Sequence, residues 1–97
     1  MRKIVFSKPA LAEIEAIWDY TIEEWGKAQA DRYNRLIEGA CIALAEGSQS
    51  GQSAEHILAG YRTLHVGRHT IYFRLTETDV EVVRILHQSM DVGKQLD

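Results

Sequence analysis

Between Tyr61 and His87, three runs rich in β-branched and aromatic residues follow one another with almost nothing between them. The runs are Tyr61 to Val66, His69 to Leu75 and Val80 to His87, joined by "GR" and "ET". Connections this short join antiparallel neighbours, because a parallel return needs a dozen or more residues. The second half of the chain is therefore expected to be an antiparallel meander, and whatever precedes it must cover one face of that sheet.

What precedes it reads as one strand and two helices. "KIVF" is a short first strand. Ser7 can cap the helix that follows, and Pro9 is tolerated in a first turn, where no amide partner is needed. Leu11, Ile14, Trp18, Ile22 and Trp25 recur at spacings of three and four, the stripe of an amphipathic helix. Gly26 ends that helix and Gly47 the next, whose stripe is Tyr33, Ile37, Ala40 and Leu44, with Asp31 and Arg35 placed as an (i, i+4) ion pair. A one- or two-residue joint forces the helices back on each other as an antiparallel hairpin. "GSQSGQSAEH" is expected as a polar loop. The expected fold is α+β, in the order β-α-α-β-β-β. A helical hairpin packs on one face of a small antiparallel sheet, and a short C-terminal tail or helix follows. The 97 residues make a single domain, 1–97.

If both hairpins have tight turns, Val66 faces His69, Tyr61 faces Arg74, Leu75 faces Val80 and Arg74 faces Glu81. Alternation then puts Leu64, Val66, Ile71, Phe73, Leu75, Val80, Val82 and Leu86 under the helices, with Arg62, His69 and Arg84 as polar exceptions. Tyr61, Thr63, His65, Thr70, Tyr72, Arg74, Glu81, Val83, Ile85 and His87 share the opposite face, which is expected to be available for binding.

Charge narrows the function classes. The net charge is −3, and residues 10–46 hold eight acids against three bases. A protein that wraps nucleic acid is usually more basic, since affinity grows with the phosphates neutralised. No apolar run is long enough to span a bilayer, and the N-terminus lacks a signal-peptide stretch. A single cysteine, Cys41, excludes an internal disulfide and suits a cytoplasmic location. Cys41 itself reads as a small core residue. No cofactor motif is present.

The candidate sites divide into bland and sharp readings. His65 and His69 are four apart but fall on opposite faces, so they cannot share a metal ion. Arg74 and Glu81 form a cross-strand pair, or Arg74 serves a partner's carboxylate or phosphate. Arg62 and Arg84 fall near each other on the core face; their heads reach the rim or a helix carboxylate, or they emerge together as an anion or partner contact. Trp18, Trp25 and Tyr33 are core or hairpin-joint residues, or an exposed docking site beside the acids of the first helix. His87 is structural, or a general base whose same-face company is Thr70, Tyr72 and Ile85.

Three stretches carry a family resemblance: "IWDYTIEEWGKAQADRY", with its W-G joint; "AGYRTLHVGRHTIYFRL", with a G-Y-R strand and G-x-H hairpin; and "VVRILHQSMDVGKQL", with an R-x-L-H-x-S-M-D ending. They resemble the toxins of the RelE/ParE superfamily of bacterial toxin–antitoxin pairs, and the ParE branch most closely, over nearly the whole chain. Ser48 stands where the family often has the proline of a P-x-x-G. RelE-like members cleave mRNA on the ribosome; Thr70, Gln88 and the acidic charge depart from their pattern. The resemblance to ParE implies instead a non-enzymatic inhibitor of DNA gyrase, neutralised by a cognate ParD-like antitoxin in a hetero-oligomer. It implies no cofactor, no metal and no sequence-specific nucleic-acid contact. The implied target contacts are Arg62, Arg84, His87, Met90 and Asp91, supported by the tail through Leu96. The expected antitoxin contacts, read from the aromatic residues and acids of the helical hairpin, are Leu11, Trp18, Glu23, Trp25 and Tyr33. The alternatives are a ribosome-dependent mRNA interferase using His87 and Arg74, and an inactive toxin-derived binding module.

Overall fold

A computed structural model describes residues 1–89. Met90, Asp91 and the tail through Leu96 lie outside the described residues. The order is β1 (Lys3–Phe6), α1 (Lys8–Trp25), α2 (Lys27–Glu46), β2 (Gln52–Ser53), β3 (Arg62–Val66), β4 (His69–Leu75) and β5 (Asp79–His87). The five strands form one sheet, β1-β5-β4-β3-β2, with the helical hairpin on one face.

The helix limits follow their signals. The Ser7 hydroxyl accepts the Ala10 amide at 3.1 Å, and Pro9 sits in the first turn of α1. Gly26, at φ +85°, lets the chain turn from α1 into α2, and Gly47 closes α2 in the left-handed conformation. The ion pair near the start of α2 differs from expectation: Lys27 pairs with Asp31 at 3.0 Å, while Arg35 donates to the Asp31 backbone carbonyl.

The meander has the expected β3–β4 register, with Val66 opposite His69. Two strands modify the sheet around it. β1 pairs with β5 in parallel, Ile4 opposite Val80, because the helical hairpin is a long enough crossover. The sheet is therefore mixed rather than wholly antiparallel. β2 is a two-residue strand from within the polar loop, set against Arg62 and Thr63.

The first helix does not bury the expected stripe. Ala10 and Thr21 are buried, and Ile14 and Ile17 pack on the core. Leu11 (53% exposed) and Trp25 (66% exposed) face outward, with Ile22 beside them. The line 10-14-17-21 is rotated by roughly 70° from 11-14-18-22-25 at 3.6 residues per turn. Small Ala10 lets α1 approach the sheet closely, and the Thr21 hydroxyl donates to the Ile17 carbonyl, so a polar residue is buried without an unmet bond.

The register of β5 also breaks. Leu75 faces Val80 and Arg74 faces Glu81, as expected, but a bulge intervenes between Tyr72 and Phe73: Phe73 faces Val82, whereas Tyr72 faces Arg84. One extra residue exchanges the faces of everything beyond it. Ile85, expected on the open face, lies in the helix-side core with Ile71, Phe73, Val80 and Val82. Leu86, expected under the helices, lies on the opposite face with Tyr61 and Tyr72. Nor is that opposite face open. The turn around Ala54 folds over it, so Ala54, Tyr61, Tyr72 and Leu86 form a second small core with Ile57 and Val83 against it.

Candidate functional site

The bulge brings α1 to the end of β5. Beyond Phe6, β1 no longer covers the outer side of β5, and two side chains take its place. The Ser7 hydroxyl donates to the Val83 carbonyl. The Glu13 carboxylate accepts the Ile85 amide at 2.8 Å and the Arg84 guanidinium, whose Nε lies at 2.9 Å. Glu13 and Arg84 side chains are about one-fifth exposed (19% and 20%), and the hydrogen bond to Glu13 raises the Arg84 pKa above its ordinary value. Arg84 thus reaches a helix carboxylate, one of the two readings open in the sequence.

Arg62 is elsewhere. Its guanidinium donates to the carbonyls of Ser50 (2.7 Å) and Gly51 (3.3 Å), pinning the loop that leads into β2. Arg62 and Arg84 are not neighbours as expected: β4 lies between their strands, and Arg62 is held by the loop before β2 whereas Arg84 is held by α1. Arg74 meets Glu81 at 3.2 Å and stacks over the Tyr61 ring at 5.4 Å, so the cross-strand pair is present.

His87 has company other than the expected Thr70, Tyr72 and Ile85. It faces His69 across the ladder, the rings edge to face at 5.3 Å, and its Nδ1 lies 2.8 Å from the Ser89 hydroxyl and accepts the Ser89 amide. His69 Nδ1 in turn lies 2.6 Å from the Tyr33 hydroxyl. Burial, and then the charge of His87, lower the His69 pKa. Tyr33 reaches across from α2 to the β3–β4 turn: its hydroxyl accepts the Arg68 amide at 3.0 Å and lies 3.3 Å from the Val66 carbonyl. Gly67 must be glycine here, because a Cβ would stand 2.6 Å from the Tyr33 ring and φ is +58°. Tyr33, Gly67, His69 and His87 therefore form one assembly at the turn end of the sheet. His65 bonds Thr70 on the other face, separate from His69 as expected.

The residues expected to meet an antitoxin split in two. Leu11, half-buried Trp18, Ile22 and Trp25 lie along one line of α1 away from its core line, an apolar and aromatic strip with Glu15 and Asp19 beside it, while exposed Glu23 and Tyr20 (62% exposed) lie further round the helix. Tyr33 belongs to the turn assembly instead. A shallow groove of about 440 Å³ runs between α2 and β3, lined by Leu36, Gly39, Ala40, Leu64 and Val66 among others. Cys41 is buried, and burial with nearby Glu38 pushes its thiol up to about 11, so no thiolate forms at neutral pH. Among the described residues no helix is long and apolar enough to cross a membrane, and no three potential ligands cluster to hold a metal ion.

Sequence reasoning missed the roles of Glu13 and Tyr33. Glu13 is one of five acids on the first helix, with nothing local to distinguish it from the others, and only the bulge brings it to β5. The Tyr33 contact had a signal in G-x-H: a glycine and a histidine flanking a tight turn, with a helix overhead.

The chain is similar to known proteins over nearly all its length. The family model for the ParE toxin of the type II toxin–antitoxin system parDE matches residues 4–92. Toxin ParE1 of Mycobacterium tuberculosis is 40% identical over 95 residues, 97% of each chain. Toxin ParE1 of Caulobacter vibrioides is 35% identical over 96 residues, 99% of each. The fold matches a solved chain described as the chromosomal ParDE TA system from P. aeruginosa with a TM-score of 0.75 at 21% identity, covering 90% of this chain and 96% of that one. Sequence and fold agree, and the chain belongs to the ParE toxin family of type II toxin–antitoxin systems.

Proposed function

We propose that this toxin acts by binding DNA gyrase in the cytoplasm, without chemistry of its own, and that a ParD-like antitoxin neutralises it by covering the helical hairpin. The observation that carries this is the separation of His87 from Arg74, the pair that an interferase reading of this chain would use. An mRNA-cleaving site would need a base and a cation about one substrate. His87 lies on the helix side beside His69, whereas Arg74 lies on the opposite face, tied to Glu81 and about 17 Å further along β4 at some 3.3 Å per residue. The pair named for an interferase is not assembled. His87, followed in sequence by Met90 and Asp91, is proposed as target contact. Arg62 and Arg84 support it by holding the loop and the strand end.

The antitoxin surface is the outer side of α1, with Leu11, Trp18, Trp25 and Glu23. A strip of this kind is a hot-spot composition on a rigid helix, rimmed by acids that suit a basic segment. If Glu23→Lys and Glu24→Lys together leave antitoxin affinity and its salt dependence unchanged, that surface is wrongly placed. The target is tested by inducing the toxin without antitoxin and pulse-labelling DNA and protein synthesis in parallel, and by supercoiling assays with purified gyrase. DNA synthesis should fall first and supercoiling should stop; an early fall in protein synthesis with intact supercoiling would reject gyrase as the target.

A further inference from the structure

Residues 56–76 carry three arginines and three histidines and no acid, in a chain that is acidic overall. Two of those arginines are occupied: Arg62 by the Ser50 and Gly51 carbonyls, Arg74 by Glu81 and the Tyr61 ring. Arg68, at the tip of the β3–β4 turn, is exposed, and among the described residues its guanidinium has no partner. Its backbone, in contrast, is held from both sides. The Arg68 amide donates to the Tyr33 hydroxyl at 3.0 Å, and the Arg68 carbonyl accepts the Gln88 amide at 3.0 Å, immediately after His87. Gly67 is fitted against the Tyr33 ring, so the turn cannot shift without displacing α2's tyrosine. A solvated arginine on a turn needs neither tie. A cation offered to a partner benefits from both, because a backbone already fixed loses less entropy on binding.

We propose that Arg68 is a target contact alongside His87, directed at a carboxylate on the target protein, and that Tyr33 is the positioning residue that presents it. The proposal rests on the gyrase-binding reading and locates its cationic element. A guanidinium suits a carboxylate because its fork of donors matches the two oxygens.

The test compares wild type, Arg68→Ala, Arg68→Lys, Tyr33→Phe and the double variant in gyrase supercoiling inhibition, with antitoxin affinity measured in parallel and Arg74→Ala as control. Inhibition by wild type is required first; its absence would reject the gyrase reading itself. Given that inhibition, Arg68→Ala should raise the inhibitory concentration at least tenfold with antitoxin affinity unchanged. Arg68→Lys should recover part of the loss, and Arg74→Ala should do nothing. Tyr33→Phe should weaken inhibition several-fold alone but add nothing in the Arg68→Ala background, a dependence that a merely destabilising change would not show. Wild-type potency in Arg68→Ala, or equal loss in Arg74→Ala, would overturn the proposal. Retention of naked DNA by the toxin alone, abolished by Arg68→Ala, would overturn the carboxylate assignment in favour of phosphate.

Discussion

Replacing Glu13 with alanine removes one carboxylate and three bonds: two from the Arg84 guanidinium and one from the Ile85 amide at 2.8 Å. Hydrogen bonds to a charged group contribute about 1.5–3 kcal/mol each, and breaking a buried ion pair costs about 3–5 kcal/mol. These side chains retain a fifth of their exposure, so solvent recovers part of the loss. Glu13→Ala should then destabilise the fold by about 3 kcal/mol, a large share of the roughly 5–15 kcal/mol that a domain possesses. At roughly 4–8 °C per kcal/mol for a domain near this size, the melting temperature falls by about 12–24 °C. Urea and thermal unfolding followed by far-UV circular dichroism measures both. Glu13→Gln separates the contributions: its amide oxygen can still accept the Ile85 amide while the charge is lost, so it should cost about 1–1.5 kcal/mol. Equal losses in the two variants would mean that charge alone matters. A Glu13→Ala protein within about 0.5 kcal/mol of wild type would refute the role given to this carboxylate, since that is the scatter of an ordinary surface change.

Gly67→Ala should cost about 2–3 kcal/mol, from a positive φ together with a clash against Tyr33, whereas Gly60→Ala, with positive φ but open space, should cost about 1; thermal melts compare them. The His69 pKa is depressed, so the native state releases a proton that the unfolded chain keeps: its stability contribution is complete above about pH 6.5 and is lost as pH falls through the folded value. His69→Gln should flatten that part of the pH dependence, and an unchanged stability difference between pH 7.5 and 5 would reject it. Cys41, with its thiol near 11, should resist alkylation at neutral pH until urea unfolds the chain; rapid labelling of the native protein would contradict its burial. Trp25→Ala should alter stability by no more than about 0.5 kcal/mol, the range of exposed positions, yet weaken antitoxin binding at least tenfold in titration calorimetry.

Features set by neighbouring residues were legible in the sequence, and features set by contacts across the fold were not. Ser7, Pro9, Gly26 and Gly47 act within a few residues of themselves, and the helix limits fell where they indicated. The β3–β4 pairing followed from its two-residue connection. The bulge carries no such mark: "VEVVRIL" contains neither glycine nor proline, and the extra residue is stabilised by Ser7 and Glu13, more than seventy residues away. Its neglect misplaced Ile85, Leu86 and the company of His87 together. In α1, two overlapping stripes share Ile14, and large apolar residues favoured the one that proved to face outward. Small Ala10 and hydroxyl-bearing Thr21 mark the buried line only once the sheet is in place. The excess of cations in residues 56–76 was readable, but that Arg68 is the arginine left over required the partners of the other two.

The covering of β5 by side chains has a consequence for life without the antitoxin. A toxin released from its partner must avoid pairing with other copies of itself, and an uncovered strand edge is a template for that pairing. β1 covers β5 only as far as Val82. Past that point the outward Val83 carbonyl and Ile85 amide are taken by a hydroxyl and a carboxylate. A strand that covered them would pass a new edge outward, whereas a side chain satisfies the same groups and ends the ladder. Ser7 does this while also capping α1, so loss of one hydroxyl would loosen a helix and expose part of a templating edge at once.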